Sequence, residues 1–181
     1  MALSQKPLPE ALARAKALVR DVPDFPKKGI LFRDVTPLLN DGPALTAVIA
    51  ALAEPWRGSV DVVAGMESRG FIFGTGLALA LGVGFIPVRK AGKLPYKTES
   101  VRYGLEYGSD TLEVHVDAAR AGARVLICDD LIATGGTAAA TAQLLERIGA
   151  TVAGYSFVIE LAELGGRKKL GARRVEALFT Y

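Results

Sequence analysis

VLICDDLIATGGT, residues 125–137, joins an apolar run to a small, glycine-containing loop. ARVLICDD, 123–130, predicts a strand buried on both faces. GTAAATAQLLERIGA, 136–150, predicts a helix closed by Gly149. In open α/β sheets, ligands lie beyond the carboxyl ends of strands, so the loop between these elements marks a site. Gly135 and Gly136 let the chain curl with its amides inward, Ala133 is small, and Thr134 and Thr137 add hydroxyl donors. With a helix start behind them, these groups suit a phosphate. Asp129 and Asp130 stand directly beside the loop, where like charge should weaken anion binding. One ligand reconciles the two halves: a ribose 5-phosphate, its phosphate on the loop and its hydroxyls on the acids. The two acids could also help attract Mg²⁺. No Lys follows the glycines, which disfavours a nucleoside triphosphate loop. As a mere turn, the segment would set two costly charges at the end of a buried strand.

Outward from this stretch the pattern alternates β and α. PEALARAKALVRD, 9–21, reads as a helix ended by VPDFP, and GILFRDVT as a short extended piece. NDGPALTAVIAALAEPW has a polar cap with Pro43 just inside a helix start. VDVVAGM is a buried strand, SRGFIFGTGLALALG a helix and GFIPVRK the next strand. VRYGLEYG and TLEVHV suggest antiparallel strands joined by GSD, and TVAGYSFVIEL and RRVEALFTY are further strands. The expected fold is α/β: one doubly wound domain over residues 1–181, its sheet mainly parallel and flanked by helices.

Composition removes several chemistries. The chain has 181 residues and 50% hydrophobic residues, enough for a sizeable core. One His and one Cys leave His115 and Cys128 as the sole thiol and imidazole, too few for a structural zinc site. Catalysis must therefore rest on carboxylates, cations, backbone donors and an oxygen-liganded metal. A net charge of +3 suits a small anion and does not call for nucleic acid. The run 71–88 is near membrane-span length, but its glycines and the strand-like GFIPV favour helix–turn–strand, so no membrane span is expected. The first 21 residues lack a continuous apolar core and a cleavage site, which with the lone Cys128 points to the cytoplasm.

RKAGKLPYKTES, 89–100, is polar and follows neither periodicity. Its cations Arg89, Lys90, Lys93 and Lys97 suggest a lid over an anion; a solvated hairpin tip is the alternative.

VLICDDLIATGGT is similar to the signature of type I phosphoribosyltransferases, which bind 5-phosphoribosyl 1-pyrophosphate (PRPP). FPKKGILFRDVTPLL, VAGMESRGFIFG, VRKAGKLPYKTES and GLEYGSDTLEVH occur in the same order in adenine phosphoribosyltransferases, and the similarity covers nearly the whole chain. The resemblance implies the type I phosphoribosyltransferase fold with an antiparallel lid hairpin at about 89–108. It implies transfer of a phosphoribosyl group from PRPP to adenine, with Mg²⁺, in a homodimer. Asp129 and Asp130 would meet the ribose hydroxyls, and Ala133, Thr134, Gly135, Gly136 and Thr137 the 5-phosphate. Glu67, Ser68 and Arg69 would form the pyrophosphate loop, with Glu67–Ser68 its candidate cis peptide. Arg89 and Lys93 resemble further pyrophosphate cations, with a place for one of them across a dimer interface. Adenine would lie on ILFRD, met by backbone at Leu31 and Arg33, with Leu161 nearby. Glu106 matches the catalytic acid, acting with Arg69, and Tyr107 would position the closed lid.

Two rival readings remain at this stage. One keeps PRPP but takes a 6-oxopurine, whose acceptor oxygen usually needs a cationic side chain that ILFRDVTP and GLEYG do not suggest. The other is a PRPP-sensing regulator without catalysis, which should carry an added DNA-binding domain and a damaged lid.

Overall fold

The computed structural model describes residues 9–104 and 109–181. Seven strands, β5 (Thr98–Gly104), β6 (Ser109–His115), β4 (Gly84–Lys90), β3 (Val62–Met66), β7 (Arg124–Ile132), β8 (Thr151–Glu160) and β9 (Val175–Thr180), form one sheet in that order, and β1 (Arg20–Pro23) pairs with β2 (Leu31–Asp34) in a separate two-stranded sheet. The centre of the large sheet is parallel: β3 (Val62–Met66) lies between β4 (Gly84–Lys90) and β7 (Arg124–Ile132). β8 (Thr151–Glu160) and β9 (Val175–Thr180) continue the parallel order. At the opposite edge β5 (Thr98–Gly104) and β6 (Ser109–His115) form an antiparallel hairpin, attached where Arg89 and Lys90 pair with Glu113 and Leu112. The mainly parallel sheet with an antiparallel hairpin is the architecture expected from the sequence.

The central strands form because their apolar runs can be covered on both faces. Val125, Leu126, Ile127 and Cys128 of β7 are all fully buried. Helix α5 (Gly136–Arg147) covers one face, setting Ala138, Leu144 and Leu145 into a core with Val125, Ile127 and Tyr155. Helices α1 (Pro9–Ala17), α2 (Thr36–Leu39), α3 (Gly42–Ala53) and α4 (Arg69–Leu81) cover the other, packing Leu38, Val48, Leu52, Phe73 and Leu77 against Leu126 and Cys128. Asp41 caps α3 by accepting from the Ala44 amide at 2.9 Å, with Pro43 in the first turn. Burial pushes the Cys128 thiol well up, so it serves as a small apolar residue.

β3 and β7 are adjacent, yet β3 leads into α4 on one face and β7 into α5 on the other. The crevice at their carboxyl ends is a topological switch point, where open α/β sheets place ligands.

Several boundaries differ from the sequence expectation. The helix expected over 9–21 ends at Ala17, because Arg20–Pro23 instead forms β1 against β2 (Leu31–Asp34). Arg20 pairs with Asp34, and Arg33 with Asp21, across that small sheet. Arg89 and Lys90 end β4, as GFIPVRK predicts, whereas residues 98–100, expected in the lid loop, already belong to β5, and Ser109 and Asp110, expected in the joining turn, belong to β6. Among the described residues no helix is long and apolar enough to cross a membrane.

Candidate active site

The loop after β7 ends in Gly135, the N-terminal flank of α5, at φ 76°. A Cβ there would lie 2.3 Å from the Gly166 carbonyl oxygen, so both backbone conformation and space require glycine. Gly136 differs: its φ is ordinary, and the nearest atom to a Cβ would be the Gly104 oxygen at 3.7 Å. Only one of the two glycines is thus required by the loop itself. Thr134, Gly135, Gly136 and Thr137 line a small cavity of about 110 Å³, with Asp129 at its edge.

Asp129 and Asp130 follow in β7. Asp130 is buried and receives Arg69 Nε at 2.5 Å, while its own amide donates to Asp129 at 2.9 Å. Burial opposes the Arg69 charge, but Asp130, with Asp129 and Asp34, outweighs it and holds the guanidinium pKa above its ordinary value. Its planar group also stands 5.4 Å over the Phe32 ring. Asp129 keeps some accessible surface, but its carboxyl is enclosed: a Cβ on Gly70 would lie 2.7 Å from Oδ1. That enclosure, reinforced by the adjacent Asp130, raises the Asp129 carboxyl well above the usual range.

The turn between β3 and α4 carries Glu67, Ser68 and Arg69, and the Glu67–Ser68 peptide is cis, as the sequence suggested. Glu67 faces the cations of its own chain. Its carboxylate accepts from Lys93 Nζ at 2.5 Å and from the Lys90 amide at 3.0 Å, with Arg89 Nε at 3.4 Å. The Lys93 bond, followed by the other two contacts, holds the Glu67 carboxyl below its usual range despite partial burial. Arg89 further donates to the Lys93 carbonyl at 3.0 Å. Lys90 is tied to Asp110 at 3.1 Å, which raises its pKa. Glu67, Ser68, Arg69, Lys90, Lys93 and the two acids enclose a polar cavity of about 400 Å³.

A third region, about 510 Å³ and mainly apolar, lies between the β1–β2 sheet and the phosphate-type loop. Leu31, Arg33 and Leu161 all line it, together with Ile30, Phe32 and Leu131. The Arg33 side chain is occupied elsewhere, paired with Asp21 and stacked 4.2 Å from the Tyr181 ring centroid. The three cavities are one trough: Asp129 borders the first two, Arg69 the second and third, and Thr134 and Thr137 the first and third.

The structure therefore brings together the expected residues of the acid pair, the glycine loop, the β3–α4 turn and the apolar slot, while Arg89 stands beside Glu67 and does not line the polar cavity. Glu106 and Tyr107 lie outside the described residues. The Arg69–Asp130 pair and the tie of Glu67 to Lys93 were not anticipated, since neither has a signal in local spacing. Lys27 also lines the apolar slot, and no local sequence signal marks it. Among the described residues no group of three or more His, Cys, Asp or Glu side chains could hold a metal ion.

A switch-point crevice with an acid pair beside a glycine loop defines a nucleotide-type transferase site, and residues 38–176 match the phosphoribosyl transferase domain family. The chain belongs to that family, within its adenine phosphoribosyltransferases. It is 58% identical over 181 residues to the adenine phosphoribosyltransferase of a Nocardioides species, covering 96% of this chain and 98% of the relative. The crystal structure of adenine phosphoribosyltransferase from Thermoanaerobacter pseudethanolicus superposes with a TM-score of 0.91 at 50% identity, covering 94% and 99% of the two chains. The Saccharomyces cerevisiae enzyme, complexed with an imino-altritol bisphosphate and adenine, gives 0.88 at 45% identity, covering 94% and 99%.

Proposed function

We propose that the protein transfers the 5-phosphoribosyl group of PRPP to adenine, giving AMP and pyrophosphate. The observation that carries this reading is the division of one trough into a hydroxyl-and-amide loop, an acid pair, a cationic end and an apolar slot. In that order they suit the 5-phosphate, the ribose hydroxyls, the pyrophosphate and a purine. Ala133, Thr134, Gly135, Gly136 and Thr137 hold the phosphate; Asp129 and Asp130 accept from the ribose hydroxyls. Adenine lies between Leu31, the Arg33 backbone and Leu161, a slot that holds it by shape and main-chain hydrogen bonds.

As the bond from C1 to pyrophosphate breaks, its electron pair leaves with the pyrophosphate and the ribose gains oxocarbenium character. Ser68, Arg69 and Lys93, which line the polar cavity, face the growing negative charge, and Arg89 adds its charge from beside Glu67. Glu67 positions Arg89 and Lys93 for this task. The purine nitrogen attacks C1, and Glu106 accepts the proton that the base loses. Tyr107 holds the closed lid over it. Asp129 and Asp130 offer hard oxygen donors, but one already serves Arg69, so Mg²⁺ would be held mainly by PRPP oxygens with these acids reached through water. Bound there, Mg²⁺ would neutralise charge on the leaving group.

A homodimer suits the exposed Ile72 and Leu79, seven residues apart on one face of α4, which offer a second copy an apolar surface. The buried lone Cys128 suits a reducing cytoplasm. The test is adenine-dependent release of pyrophosphate from PRPP with Mg²⁺. PRPP binding with no release from any base would replace this reading with a regulator.

A further inference from the structure

The hairpin end carries a side chain with no role in the scheme above. Tyr103 lies two residues from buried Val101 on the same face of β5, and it packs against the core that contains Ala138 and Ala140 of α5. Its backbone pairs with Asp110, so the ladder makes no demand on the phenol. The phenol oxygen reaches the phosphate-type loop instead, 3.4 Å from Thr137 Oγ1. The main chain follows it there: a Cβ at Gly136 would lie 3.7 Å from the Gly104 oxygen and 3.9 Å from Tyr103 Cδ2. The hairpin is thus seated on the loop at ordinary contact distance.

A separation of 3.4 Å is long for a bond between two hydroxyls. An anion held by the Thr137 hydroxyl would give the phenol a charged acceptor beside it, and such bonds are shorter and stronger. We propose that Tyr103 is a ligand of the ribose 5-phosphate, donating its phenolic O–H to the phosphomonoester that Thr137 also holds. The bond tightens the seat of the hairpin end, residues 101–104, on the loop when the phosphate is present. This inference rests on the reading of residues 133–137 as the phosphate loop.

The test compares AMP with adenosine, which lacks the phosphate, by calorimetric titration of the full chain and its Tyr103→Phe variant. Tyr103→Phe should weaken AMP binding roughly ten-fold or more, the usual scale for a bond to a charged group, and leave adenosine unchanged. Thr137→Val combined with Tyr103→Phe should lose less than the sum of the two single losses. If the unaltered protein binds AMP no better than adenosine, the phosphate loop itself is misassigned. If it prefers AMP and Tyr103→Phe keeps that preference in full, Tyr103 alone is excluded; equal weakening of both ligands makes it structural and overturns the proposal. Hydrogen exchange on the unaltered protein gives a reading independent of any variant: amides of 101–104 should slow with AMP and not with adenosine. Equal slowing would contradict the coupling.

Discussion

Arg69 and Asp130, 61 residues apart in the chain, meet at 2.5 Å between the carboxyl ends of β3 and β7. Asp130 is buried, while Arg69 is 44% exposed. Removing the cation leaves a buried carboxylate unpaired, which in a dry site costs several kcal/mol, but water at the exposed guanidinium reduces this to about 1–2 kcal/mol. Arg69→Met should therefore fold with a modestly lowered urea midpoint. Its kcat/KM should fall by about 10²–10³, because a preorganised cation facing the leaving group is gone. Arg69→Lys should recover the stability better than the rate, since a lysine lacks the planar fork. An unchanged kcat/KM in Arg69→Met would remove the pair from the chemistry.

Asp129 gives a prediction with a definite sign. Burial raises its carboxyl in the folded protein above the unfolded value, so the folded state binds the proton more tightly. The stability this favours is complete below the unfolded pKa, near 3.9. It is lost as pH rises through the raised folded value. Asp129→Asn should then raise the melting temperature at neutral pH, with the gain shrinking as pH falls below about 4. The same variant should bind PRPP more weakly. Melting curves across pH check the first part; a variant less stable than its parent at neutral pH would show that the charge is well solvated.

The two loop glycines should separate cleanly. Gly135→Ala meets both a positive φ and a backbone oxygen, so it should lose about 1–3 kcal/mol in urea unfolding. Gly136→Ala meets ordinary contacts and should unfold like the parent. It should nonetheless bind PRPP less well, because its methyl group stands in the space assigned to the phosphate. Equal destabilisation of the two would contradict the geometry.

Much of this was legible in the sequence where local signals agree. In VLICDDLIATGGT an apolar run, two acids, glycines and a helix pattern follow one another, and strand, loop and helix follow in the expected order, with the strand running on to Ile132. The β1–β2 sheet was not legible. Its first strand continues an amphipathic helical pattern, and only pairing with Leu31–Asp34, many residues later, overrides that preference. The start of β5 was hidden for a related reason: residues 98–100 lie at the sheet edge and their polar side chains show no alternation. Within the site, single residue types announced the acids and the loop. The bonds between Arg69 and Asp130, and between Glu67 and Lys93, depend on the sheet order and appear only once β3, β4 and β7 are side by side.

The role proposed for Glu106 is to accept the proton that the base loses. Glu106→Leu should lower kcat more than it weakens PRPP binding, since the carboxylate is needed only as the base loses its proton. Steady-state kinetics with a parallel PRPP titration would show it; an unchanged kcat would remove Glu106 from the mechanism.

The central claim is that one trough selects adenine and joins it to the phosphoribosyl group. Its most direct measurement supplies the protein with PRPP, Mg²⁺ and an equimolar mixture of adenine, hypoxanthine, guanine and xanthine, and identifies the nucleotide by mass. The account predicts AMP as the product. IMP, GMP or XMP in comparable yield, or no nucleotide at all, would contradict it.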